Sequence, residues 1–102
     1  LNAVAIVCLT ESGFTSRLIS KHRPECPIIA ITGSERVARR LSMNWGVTAV
    51  LYAGNPDDEA RIRFASDCVL EMGFAQPGDS IIVTAGQAQR SGGTDMLRVL
   101  VL

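Results

Sequence analysis

Val4-Ala5-Ile6-Val7-Cys8-Leu9-Thr10-Glu11-Ser12-Gly13-Phe14-Thr15-Ser16 is the stretch that decides the fold. Its first six residues are continuously apolar, without the polar alternation of a strand that has one wet face, so they read as a strand buried on both sides. The run passes through a hydroxyl-rich turn into a helical pattern over residues 16–22 that stops near Pro24. Such a junction is a ready anion site. The first-turn N–H groups of a helix are unpaired, its dipole places partial positive charge there, and the hydroxyls of Thr10, Ser12 and Thr15 add donors. Ser and Thr are also ordinary helix caps, worth about 1 kcal/mol with no ligand present. The local chemistry leaves both readings open.

Working outward, three further apolar runs at residues 28–31, 47–52 and 81–84 read as strands separated by helical patterns. The spacing predicts a second helix over residues 34–45, opened by a Ser34-Glu35 cap signal, closed by Gly46 and carrying Val37, Leu41 and Trp45 on one stripe. A third helix opens on Pro56-Asp57-Asp58-Glu59 and continues through Ile62, Ala65, Val69 and Met72 to Gly73. Carboxylates in a first turn suit the helix dipole, and no histidine or second acidic cluster answers them as a metal site would require. Pro77-Gly78-Asp79 turns the chain into the fourth strand, and residues 86–94 form a glycine-rich loop carrying Arg90 and Gly92.

Residues 96–102 read as a fifth strand, and the loop before it is too short for a helical crossover, so it runs antiparallel to the fourth. At a sheet edge, its unpaired backbone and its Leu97, Val99 and Val101 invite pairing with a second copy of the chain; a following segment or a neighbouring domain would cover the same edge. The fold class is therefore α/β: a three-layer α/β/α sandwich around a mixed five-stranded sheet, with four parallel strands and an antiparallel C-terminal edge strand.

With 102 residues, 47% of them apolar, the chain suffices for one core, and residues 1–102 are read as a single domain. Ten basic residues balance ten acidic ones, which gives no global field to draw nucleic acid or an anionic membrane. Cys8, Cys26 and Cys68 lack paired spacing and read as buried, reduced thiols of a cytoplasmic protein. No apolar run approaches the roughly 20 residues of a membrane span, and the opening residues do not read as a basic segment followed by an apolar signal core. The chain opens on Leu1 and enters a strand at once, which suggests a piece of a longer polypeptide. Catalysis finds no support: His22, the single histidine, sits among Lys21, Arg23 and Pro24 at a helix end, and neither a Walker loop nor a dinucleotide fingerprint is present. Trp45, on an apolar stripe, fits a core or interface better than base stacking.

Residues 5–13, then His22-Arg23-Pro24-Glu25-Cys26-Pro27-Ile28-Ile29-Ala30-Ile31-Thr32, then Gly78-Asp79-Ser80-Ile81-Ile82-Val83 and Ser91-Gly92-Gly93-Thr94-Asp95-Met96-Leu97-Arg98-Val99 occur in the order and spacing of a known family. The chain resembles the C-terminal domain of pyruvate kinase over essentially its whole length. The resemblance implies that the parent enzyme transfers a phosphoryl group between phosphoenolpyruvate and ADP in glycolysis. That step uses magnesium and potassium in a separate barrel domain that this sequence lacks, along with the helices that precede the first strand. The resemblance implies no cofactor for the domain itself. It implies an allosteric module that binds a phosphorylated effector and supplies a subunit interface of a tetramer. By the family's pattern Thr10, Ser12, Gly13 and Thr15 match the phosphate-cradling loop, while residues 86–94, with Arg90 and Gly92, match the loop that folds over the effector.

Glu11 and Phe14 depart from that pattern, standing where activated members often carry a basic residue and an Arg. A carboxylate repels a bound phosphate and a phenyl ring donates nothing to it. Gly54-Asn55-Pro56 also replaces the longer insertion with which sugar-bisphosphate-responsive relatives hold a second phosphate, so a monophosphate is favoured. Arg17 reads as a surface arginine within reach of the same loop. Three readings follow: an effector-binding regulatory module, an interface module that has lost effector response, and a free-standing domain that binds another protein.

Overall fold

A computed structural model of the chain describes residues 3–10, 25–44, 46–54, 57–85 and 96–102. Five strands, β1 (Ala3–Leu9), β2 (Ile28–Thr32), β3 (Val47–Leu51), β4 (Ser80–Ala85) and β5 (Met96–Val101), form one sheet in the order β3-β2-β1-β4-β5. The first four are mutually parallel and β5 runs antiparallel to β4, as the short connection requires.

The continuous apolar runs have a direct cause in the layering. Ala5, Val7, Leu9, Ile29, Ile31, Ile81 and Val83 project to one face, where helix α2 (Asp58–Glu71) lays down Ile62, Ala65 and Val69. The alternate residues Cys8, Ile28, Ala30 and Val47, with Ile6 and Ala49, project to the other face and meet Val37 and Leu41 of helix α1 (Glu35–Leu41). A helix lies on each side, which makes the expected three-layer α/β/α sandwich, and all five residues of β2 are buried.

The helices differ from expectation at their ends. α1 begins as its cap signal predicts, with Ser34 Oγ accepting from the Val37 N–H at 3.2 Å, but it stops at Leu41 rather than at residue 45. Beyond Leu41, polar side chains take over the last carbonyls: Ser42 Oγ donates to the Arg39 carbonyl at 2.8 Å and Asn44 Nδ2 to that of Leu41 at 3.3 Å. These bonds satisfy groups that another helical turn would have used. α2 ends one residue before Met72, its C-cap, and Gly73 follows at φ +78°, the left-handed conformation in which glycine carries no Cβ penalty. Met72 is consequently half-exposed and does not join the buried stripe of Ile62, Ala65 and Val69.

Of the three cysteines, all free, Cys8 alone is fully buried; Cys26 precedes β2 and Cys68 lies on α2, and both are only partly covered. Among the described residues no helix is long and apolar enough to cross a membrane. The expected helix over residues 16–22, Trp45 and the loop over residues 86–94 lie outside the described residues.

Candidate functional site

The chain passes from β1 to β2 to β3 in one direction across the sheet, then returns to place β4 on the other side of β1. In open α/β sheets the carboxyl ends of the strands flanking such a reversal splay their loops apart and leave a crevice. Here Leu9 pairs with Ala85, so the carboxyl ends of β1 and β4 lie side by side. Thr10, buried just beyond β1, donates its N–H to the Ile31 carbonyl at 2.9 Å, which holds it against β2. Ser12, Gly13, Thr15, Arg90 and Gly92, together with Glu11, Phe14 and Arg17, lie outside the described residues.

Next to Thr10, at the carboxyl ends of β2 and β3, is a cavity of about 280 Å³. Residues 31–33 and 52–54 form its walls, and Arg61 reaches in from the first turn of α2. Its frame is held by main-chain bonds: the Tyr52 N–H donates to the Thr32 carbonyl at 2.8 Å, and the Ser34 N–H to Thr32 Oγ1 at 3.1 Å. The Tyr52 ring packs on Phe64 with centroids 4.7 Å apart. Gly54 makes room for that ring, since a Cβ at this position would stand 2.7 Å from it.

Arg61 is the residue that sequence reasoning missed. It brings a permanently charged guanidinium to the cavity, with Nε shielded from solvent, and a guanidinium presents donors in a fork that suits phosphate or carboxylate oxygens. A helical side chain leans over the turn before its own Cα, so a cation in the first turn after β3 is placed to cover the strand ends. That signal was legible in the position of Arg61, four residues after Asp57.

On the far side of the sheet, β5 turns Leu100 toward the core and leaves Leu97, Val99 and Val101 73%, 46% and 72% exposed. Arg98, between Leu97 and Val99, points to the α2 face and sets Nη1 2.9 Å from Glu59 Oε1.

Residues 1–100 match the family described as "Pyruvate kinase, alpha/beta domain". A pyruvate kinase of Clostridium acetobutylicum is 43% identical over 103 aligned residues, covering 100% of this chain and 22% of its own length. A pyruvate kinase of Staphylococcus aureus is 44% identical over 100 residues, covering 97% of this chain and 17% of its own length. The chain thus spans about a fifth of the relatives it matches, and its strand order, its edge strand and its sequence agree: it belongs to the pyruvate kinase α/β-domain family.

Proposed function

We propose that this domain is the regulatory and oligomerisation part of a cytoplasmic pyruvate kinase, and that it binds a phosphorylated effector, a monophosphate by preference. The observation that supports the reading is the pairing of Leu9 with Ala85, which sets the carboxyl ends of β1 and β4 side by side at the reversal of strand order. Thr10, Ser12, Gly13 and Thr15 cradle the phosphate, Arg90 and Gly92 belong to the loop that closes over it, and Arg61 supplies a cation from the adjoining cavity. The direct Gly54-Asn55-Pro56 link, in place of the longer insertion that holds a second phosphate in sugar-bisphosphate-responsive relatives, favours one phosphate over two. The parent's phosphoryl transfer from phosphoenolpyruvate to ADP, with its magnesium and potassium, belongs to a separate catalytic part. Effector binding acts on that part through different affinities in two quaternary states.

A second reading is favoured by the exposed face of β5. Leu97, Val99 and Val101 suit pairing with another copy of the chain, and a domain that served the tetramer's interface alone would keep them without an effector. Titration calorimetry with a sugar monophosphate, a nucleoside monophosphate and fructose bisphosphate separates the two. The effector reading expects saturable binding of a monophosphate, weakened in Thr10→Ala and Arg90→Ala and about tenfold or more in Arg61→Ala, the loss of a charge-assisted hydrogen bond. A folded wild type that binds none of the three leaves the interface reading.

A further inference from the structure

The even balance of ten basic and ten acidic residues hides a segregation along the chain. Residues 1–50 hold six of the basic residues and three of the acidic ones; residues 51–102 hold four and seven. The fold turns that asymmetry in sequence into one in space. The reversal of strand order that sets β4 beside β1 sends α1 and α2 to opposite faces of the sheet, because parallel crossovers keep one hand. An arginine-rich helix and a net acidic one therefore lie back to back.

Ion pairs within the domain leave the excess standing. Arg39 Nη1 lies 3.2 Å from Glu35 Oε1, and Arg98 Nη1 lies 2.9 Å from Glu59 Oε1. Arg36 and Arg40 of α1, and Asp67 and Glu71 of α2, are exposed and enter no ion pair among the described residues. Each couple stands four residues apart on its own helix, a spacing at which like charges repel. Glu71 also closes α2 at the negative end of its dipole, in a last turn without a basic residue. The field of the two carboxylates reaches Cys68 between them, whose thiol is raised first by burial and then by Glu71 and Asp67.

We propose that the outer side of α1 is a docking surface for a second copy of this chain, which presents the C-terminal end of its α2. Arg36 and Arg40 of one copy meet Asp67 and Glu71 of the next. The match is one of sign and of spacing: two cations and two anions, each couple about one helical turn apart, so that each relieves the repulsion within the other. Because the two helices lie on opposite faces, a copy that gives its α2 to one neighbour keeps its α1 for another. The contact is head-to-tail and does not close, unlike the pairing of two β5 edges, which ends at a dimer. Exposed ion pairs are individually weak and are screened by salt, so the association belongs to low ionic strength.

Sedimentation velocity of the 102-residue chain over a concentration series tests this at about 0.01 M salt, where the Debye length is about 30 Å, and at about 1 M, where it is about 3 Å. At low salt the average mass of the wild type is expected to rise continuously past that of a dimer, and high salt should remove the growth. Arg36→Gln/Arg40→Gln and Asp67→Asn/Glu71→Gln should each weaken the association roughly fivefold or more, the loss of two exposed ion pairs. A chain carrying Arg36→Glu, Arg40→Glu, Asp67→Lys and Glu71→Lys keeps the net charge and exchanges the signs, so it should associate as the wild type does. Leu97→Asp should leave the low-salt growth in place.

A wild type whose mass is the same at low and high salt overturns the proposal. So does growth that persists in Arg36→Gln/Arg40→Gln, since α1 would then carry none of it. Growth that Leu97→Asp abolishes, or that stops at a dimer, assigns the contact to the edge strand and overturns it as well.

Discussion

Strand β2 inside the sheet and β5 at its edge are both mostly aliphatic, yet every residue of β2 is buried, whereas β5 covers Leu100 only in part and leaves Leu97 and Val101 nearly three-quarters exposed. The difference lies in the neighbours. β2 has a strand on either side and a helix over each face; β5 has one paired strand and packs against α2 on one face. An aliphatic run therefore reports that some surface has to be covered without saying by what. Burying a large aliphatic side chain is worth about 1.5–3 kcal/mol, so the outer face of β5 holds in reserve what β2 has already used within the domain.

Truncating one residue of each strand separates the two environments most strongly. Ile29→Ala empties a fully buried site between β2 and α2 and should cost about 3 kcal/mol, within the range for large-to-small core changes. Leu97→Ala should stay within about 0.5 kcal/mol in urea unfolding of the monomer, as exposed substitutions do. Under the interface reading, Leu97→Asp should abolish self-association in sedimentation velocity without lowering the monomer's midpoint. If Leu97→Ala costs as much as Ile29→Ala, the edge is as closed as the centre and the contrast fails.

Between these extremes lies the cavity at the strand ends, where Gly54→Ala asks how firmly the wall is set. The new methyl group would stand 2.7 Å from the Tyr52 ring, which packs on Phe64 and cannot retreat without disturbing it. Overpacking of this kind costs about 1–3 kcal/mol, seen as a fall in the thermal midpoint. A smaller fall would mean that the ring swings away easily, and the cavity would then resemble the open edge more than the closed centre.

The parts that were legible in the sequence are those governed by nearest neighbours in the layers. Cys8 and Leu9 point to opposite faces and both are buried, so the run that contains them could not alternate, and its continuity gave away a sheet covered on both sides. The antiparallel course of β5 followed from the shortness of one loop. The end of α1 was not legible from periodicity, because two side-chain hydrogen bonds at Ser42 and Asn44 decide it. Thr10 was recognisable as a junction, but its place beside the end of β4 depends on a pairing between residues 76 positions apart, Leu9 and Ala85. The place of Arg61 early in the helix after β3 was legible, but its entry into the cavity required the docking of α2, which Ile62, Ala65 and Val69 set against the sheet. Arg98 required that docking together with the register of β5.

The smallest effect tests how closed the α2 layer is on the side away from β5. Cys68 is only partly covered, yet its thiol is pushed above the ordinary value of 9.0, first by burial and then by the carboxylates of Glu71 and Asp67. The thiolate is the charged form, so above pH 9 the unfolded chain gives up a proton that the folded chain still holds. Folded molecules then bind more protons than unfolded ones, and stability must fall as pH rises from about 9 toward the raised folded value. Urea midpoints at pH 8 and pH 10 should show this decline in the wild type and a shallower one in Cys68→Ala, whose side chain cannot titrate. Asp67→Asn separates the causes: it removes one carboxylate and leaves the packing in place, so thiol titration should move back only part of the way. A full return to the ordinary value would mean that charge, not burial, raised it, and that α2 covers this flank no better than β5 is covered at its edge.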